Sequence, residues 1–474
     1  MLGLALMLWA GAAAAVDFLV NSAADKVDIN PGDGICDADP GAPVECTLRA
    51  AIMEANALPN DPGTPPGYDR VGIPSGYITL TLGGTGEDAS ATGDLDVTDP
   101  VLIQGAAPNR PTVDGGGLDR VFDIQSTVIL QDLIIRNGHA TGAGITGAGG
   151  GVRCFGGTLA LLRDIVRNNS TATLGGGVHA ENCELSVSQS LIENNTADNG
   201  AGIYSRFANL SVAQSTVRGN QATSSAGGIG TTATDPAVYA YVYQSTISGN
   251  SGVFGAGLDF GNRAYVVNST VSGNQADYGG GAGIRTFNAL RISSSTIYCN
   301  HSVATDPNYA AGVALQGSSP SVSIDHSILA RNTNLAGESE CNGPLNSGGY
   351  NLIGDITGCT IAGTSTGNQT GLDPLLAGPF SHPLASASAG GLAAWLPRSK
   401  FGPTVDMGNP AGSTYDNDAD PGTADVPLTS DHWNLARPAD GDGDGTARPD
   451  IGAVESPVIM IDGFDPDPGA CPVP

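Results

Sequence analysis

Along the middle of this chain apolar and polar residues alternate with a period of two. Leu185-Ser186-Val187-Ser188 and Leu210-Ser211-Val212-Ala213 are examples. Alternation of this kind predicts strands with one face on a core and the other in water. The same region lacks ten-residue stretches with apolar positions three and four apart, which excludes helices there. The strands recur and end in asparagine. "DIVRNN", "SLIENN", "STVRGN", "STISGN", "STVSGN", "STIYCN" and "SILARN" close on Asn169, Asn195, Asn220, Asn250, Asn274, Asn300 and Asn332. A second mark, glycine before an aliphatic residue, recurs at Gly151, Gly177, Gly202, Gly228, Gly257, Gly283 and Gly312.

Successive asparagines stand 26, 25, 30, 24, 26 and 32 residues apart, so the period is elastic. A repeat of this length with two or three short strands predicts a solenoid. The expected fold is all-β: a right-handed parallel β-helix, one coil per repeat, with like strands stacked into parallel sheets. The asparagines are expected to close the corners in left-handed conformation and to bond to the same side chain on the next coil. The glycines allow close approach. "YITLTL", "DLDVT", "PVLIQGA" and "VFDIQ" extend the coil toward the N-terminus, giving about ten or more coils.

A β-helix exposes its core and strand edges at each end, so caps are expected. "CTLRAAIMEANA" (46–57) predicts a short amphipathic helix. Thr47 is its N-cap, and Leu48, Ala51, Ile52 and Ala55 form an apolar stripe. A β-rich cap is expected at the other end. The division is 1–15 leader, 16–75 N-terminal cap, 76–335 β-helix, 336–455 C-terminal region and 456–474 tail.

Composition sharpens this picture. The 47 acidic against 19 basic residues give a formal charge of −28, which repels nucleic acid and anionic membranes. An apolar run from Leu2 to Trp9, followed by the small residues Ala12 to Ala15, reads as a secretory leader cleaved after Ala15. No later stretch is apolar for long enough to span a bilayer. The eight cysteines fit an oxidising compartment. Cys36 with Cys46, and Cys341 with Cys359, are expected to be bonded. Cys154 and Cys183 lie about one repeat apart, suited to bridging adjacent coils. Cys299 and Cys471 are left over, and sequence does not fix their pairing. The expectation is a secreted or cell-surface monomer.

Three segments resemble known families. Cys46-Thr47-Leu48-Arg49-Ala50-Ala51 resembles the Cys-Ser-Leu-Arg-Glu-Ala motif of the CSLREA domain of exported bacterial proteins, without its glutamate. The repeated glycine and asparagine marks resemble the β-helix of polymorphic outer-membrane proteins, an aliphatic residue usually replacing phenylalanine. "GGYNLIGDITGC" (348–359), "GNQTGLDPLL" (367–376), "ARPADGDGDG" (436–445) and "DIGAVE" (450–455) resemble the choice-of-anchor Q domain. The resemblance implies a secreted or surface bacterial protein and no particular chemistry.

Candidate chemistry is sparse. Asp440, Asp442 and Asp444 alternate as in the opening of a calcium loop, and Asp450 stands near the position of the closing ligand. A structural Ca2+ is the cofactor expected there, weighed against a solvated acidic turn. In the repeats, the acids Asp164, Glu181, Glu184, Glu193, Asp198, Asp235, Asp259 and Asp277 follow no constant position, and Asp259 with Arg263 is the best local pair. The histidines show no metal spacing, and no serine has a nearby histidine and aspartate for nucleophilic catalysis. The reading is therefore structural, adhesive or glycan-contacting, with extracellular glycan or host surface components as partners and no catalytic residue. The alternative is a polysaccharide lyase or hydrolase of the pectin-lyase-like fold, which a clustered Asp/Arg groove on one sheet would favour.

Overall fold

The computed structural model describes residues 15–41, 43–59, 68–306, 309–317, 320–381, 393–397, 403–415, 424–432, 434, 436–438 and 447–454. The chain winds as a parallel β-helix with three faces: a 20-stranded, a 12-stranded and a 9-stranded sheet. One coil shows the plan. Ile203–Arg206 and Leu210–Ala213 lie in the large sheet, Thr216–Arg218 in the second and Gln221–Ser225 in the third. Their partners one coil on are parallel and in register, as in Val217 opposite Ile247 and Ile247 opposite Val271. Alternate residues point inward, so Val217, Ile247 and Val271 are fully buried in one continuous core. The parallel stacking runs on to Gln369–Thr370.

The asparagines form the expected ladder. Nδ2 of Asn169, Asn195, Asn220, Asn250, Asn274 and Asn300 each donates to Oδ1 of the next, at 2.8–3.1 Å. The same Oδ1 accepts the backbone N–H of the preceding asparagine, as in Asn195 to Asn220 at 3.0 Å. The expected left-handed conformation falls one residue earlier, on Asn168, Asn194, Gly219, Gly249, Gly273, Cys299 and Arg331. The preceding residue makes the corner. The asparagine then keeps ordinary dihedrals and its amide turns inward, where the amide of the next coil and a backbone carbonyl satisfy it, as with Asn274 and Val217 O for Asn250.

The two sequence marks meet inside the coil. A Cβ on Gly202 would stand 3.0 Å from Asn220 Nδ2 and 2.5 Å from Gly228 O, and Gly228 relates to Asn250 and Gly257 in the same way. The glycine is there because the ladder amide and the next coil leave no room for a side chain.

The N-terminal cap is the helix Leu48–Ala57. Thr47 Oγ1 accepts the Ala50 N–H at 3.1 Å, and Leu48, Ala51, Ile52 and Ala55 are buried against the first coils. Cys36–Cys46, Cys154–Cys183 and Cys341–Cys359 are bonded, the second bridging adjacent coils. Cys299 is also in a disulfide, and Cys471 lies outside the described residues. The three bridges fit an oxidising environment. Among the described residues no helix is long and apolar enough to cross a membrane.

Candidate functional site on the outer face of the large sheet

Register alone builds a row of polar side chains. Parallel pairing puts Asp96 opposite Asp123, then Arg153, His179, Tyr204, Gly230, Asp259 and Arg285. The residues on either side, such as Phe122 and Ile124 or Val152 and Cys154, are buried in the core. Period-two alternation therefore aims the row outward. The acids of the repeats share no common position, but the row itself is constant: Asp259 stands where earlier coils place Arg153, His179 and Tyr204. The elastic spacing hides this, because the corners absorb the length differences while the strands stay in register.

At the N-terminal end the row is an acidic and basic cluster. Asp123 Oδ1 accepts Arg153 Nε at 2.9 Å, and Asp123 Oδ2 lies 3.2 Å from Arg120 Nη1. The same Nη1 stands 3.1 Å from Asp94 Oδ2. Asp96 Oδ2 accepts the Ser90 N–H at 2.9 Å, and Oδ1 has no hydrogen-bond partner. The 3-10 turn Gly144–Gly147 roofs the cluster: Arg120 Nη2 donates to Thr146 O at 2.6 Å and Arg153 Nη1 to Ile145 O at 3.2 Å.

Burial sets the chemistry of this cluster. It pushes Asp94 up to about 8, against the pull of Arg120, with Asp96 and Asp119 adding to the rise. It pushes Asp96 up to about 7, opposed by the Ser90 N–H and reinforced by Asp123. Asp119 is raised, again chiefly by burial. Near neutral pH, Asp94 and Asp96 can carry protons beside two arginines. Asp88, Asp96 and Asp123 are the set of acids, among the described residues, whose ligand atoms come within 4.8 Å of one another. Those three could share a hard cation, with Asp88, the exposed member, held by Gln125 Nε2 at 3.1 Å.

Further along, His179 is 1% exposed and neither ring nitrogen has a hydrogen-bond partner. Burial first, and then Arg206, Arg153 and Arg120, push it down to about 3, so the ring is neutral. It stacks on Tyr204 with centroids 6.0 Å apart.

At the C-terminal end, Asp259 pairs with Arg285 on the next coil, Nε to Oδ1 at 2.8 Å, and not with Arg263. Arg263 Nη2 instead donates to Pro236 O at 2.8 Å. The four-residue spacing of Asp259 and Arg263 is a helical proximity, and in a strand-turn-strand the nearer neighbour is one coil away. Arg285 lies over the rings of Phe254 and Phe287, at 4.9 and 5.1 Å from their centroids. Tyr278 meets Phe254 edge-on at 6.0 Å. Tyr278 is 68% and Phe287 40% exposed.

Asp440, Asp442 and Asp444 lie outside the described residues. Asp450 is buried, and its Oδ1 accepts the Asp406 N–H at 2.7 Å. The outward row escaped the sequence reading because its members are 25 to 30 residues apart and of mixed type. The signal that finds it is the position two residues after each Gly-aliphatic glycine, which is Arg153, His179, Tyr204, Gly230, Asp259, Arg285 and Ala314.

The comparisons with known proteins add one match. It is a solved structure described as "Crystal structure of pectate lyase Pel9A", at 11% identity and a TM-score of 0.46, covering 94% of this chain and 98% of that one. No family model and no curated protein matches the chain.

Proposed function

We propose that the protein is an exported, extracellular or cell-surface β-helix that contacts glycans along the flank of its large sheet. The observation that carries this reading is the exposed pair Tyr278 and Phe287, set by Phe254 around the Arg285–Asp259 ion pair. Aromatic faces give a sugar ring a flat apolar surface, and an ion pair held in place supplies fixed polar groups beside it. The leader at 1–15, the disulfides and the resemblances to the CSLREA and choice-of-anchor Q domains support export. Binding to neutral and acidic polysaccharides, followed by affinity electrophoresis, tests it. Tyr278→Ala and Phe287→Ala are each expected to weaken binding by about tenfold. Retention of full binding in the double variant, or no binding by the wild type, sinks the reading.

A second reading, a polysaccharide lyase or hydrolase, is favoured by the protonatable Asp94 and Asp96 next to Asp123, Arg120 and Arg153. A carboxyl that keeps its proton near neutral pH is suited to general acid work. New reducing ends or unsaturated products, lost in Asp96→Asn, would establish it.

A further inference from the structure

The asparagine ladder does not end in water or in another asparagine. After Asn332 the third sheet stops winding: Thr333–Asn334 turns back and pairs antiparallel with Gly337–Glu338. That reversal brings Glu340, only eight residues on, into the slot the next asparagine would fill. Asn332 Nδ2 donates to Glu340 Oε2 at 2.5 Å, as each earlier rung donates to an amide oxygen.

Two features set this rung apart. Its acceptor belongs to a carboxyl that is 0% exposed, and the second oxygen, Oε1, has no hydrogen-bond partner. Oε1 looks toward Gly354, where a Cβ would stand 3.3 Å away. The charged groups around it are mostly of its own sign. Glu338 on the returning strand and Asp355 after the Leu352–Ile353 strand both repel a negative charge at Glu340. Arg331, across the wall formed by Ala330 and Gly354, is engaged with Asp373. Asn332, which faces Glu340 directly, is neutral. A carboxylate here would be buried, hydrogen-bonded only by the side chain and backbone N–H of the neutral Asn332, and without a counter-ion.

We propose that Glu340 makes the last coils of the solenoid pH-sensitive: its protonated carboxyl completes the asparagine ladder, and ionisation opens that end of the stack. Burial pushes the group up to about 8, so the transition falls in the mildly alkaline range. The unfolded carboxyl ionises near pH 4 to 5, well before the folded one. Stability from this rung is therefore fully present below the unfolded value, falls progressively as pH rises, and is lost once pH passes the folded value. The Cys341–Cys359 bridge, next to Glu340, keeps the opened segment tethered.

Hydrogen exchange on the full chain, read by mass spectrometry at about pH 6 and about pH 9 and corrected for the chemical pH dependence, tests this. Peptides covering 328–363 are expected to open up to roughly a hundredfold more at the higher pH, while those covering 191–275 change little. Glu340→Gln, which keeps the acceptor and removes the charge, is expected to abolish the increase. An unchanged 328–363 segment in the wild type would overturn the proposal even if the variant did not fold. So would an equal increase in the variant, or an increase confined to the N-terminal coils that carry Asp94, Asp96 and Asp164.

Discussion

Asn250 shows how much one residue does in this fold. Its Oδ1 accepts two N–H groups of Asn220, and its Nδ2 donates to Asn274 Oδ1 and to Val217 O. Asn250→Ala would leave buried donors and acceptors unpaired on both neighbouring coils. The expected cost is about 2–4 kcal/mol, read as a lower urea midpoint with unchanged slope. A second column, of serines, runs beside it. The backbone N–H groups of Ser190, Ser215, Ser245, Ser269 and Ser295 each reach the next serine Oγ at 3.1 Å. Asp164 begins this column, and Asn351 and then Asn368 carry it on past Ser327. Burial pushes Asp164 up to about 8, despite the N–H groups of Leu133 and Leu162 on its oxygens. The unfolded group ionises first, so stability from Asp164 is present in acid and lost as pH rises toward 8. Asp164→Asn, a residue the column already accepts at 351, should flatten the wild-type fall in melting temperature between about pH 5 and 8. An unchanged slope would show that the charge is compensated.

Among the elements, the capping helix separates what pattern reveals from what it conceals. Its apolar stripe and its N-cap are legible because both are local: a 3.6-residue period and a threonine before the first turn. Arg49 is not, since an arginine in an amphipathic helix ordinarily faces water. Here it is 1% exposed. Nε donates to Asp25 Oδ1 at 2.6 Å, and the other nitrogens reach the carbonyls of Ser90, Gly93 and Asp94 at 2.8–3.0 Å. The helix thereby fixes the loop that carries Asp94 into the acidic cluster. Arg49→Leu would strand the buried Asp25 carboxylate, and about 3–5 kcal/mol of destabilisation is expected in thermal unfolding. Arg49→Lys should restore little of it, because an ammonium cannot span those acceptors in one plane.

Across the whole molecule, stacking turns residues far apart in sequence into neighbours. The described C-terminal segments fold back onto the solenoid. Gln244 Nε2 donates to Asp431 O at 2.7 Å, His432 bridges Asn268 O and Thr246 Oγ1, and the Gly452 N–H reaches His326 O. The Cys154–Cys183 bridge ties two coils beside Arg153 and His179. Replacing both cysteines with alanine should cost about 2–4 kcal/mol in chemical unfolding, with exchange rising first in those two coils. The sequence by itself determined the strands, the solenoid, the ladder and the glycines, because each repeats the same local demand. The tertiary structure alone decided which side chains of different coils share a row, which acids lose their water, and where a carboxyl replaces an amide at the end of the ladder. Register and burial are properties of the stack, and the variable corners keep them out of any single stretch of sequence.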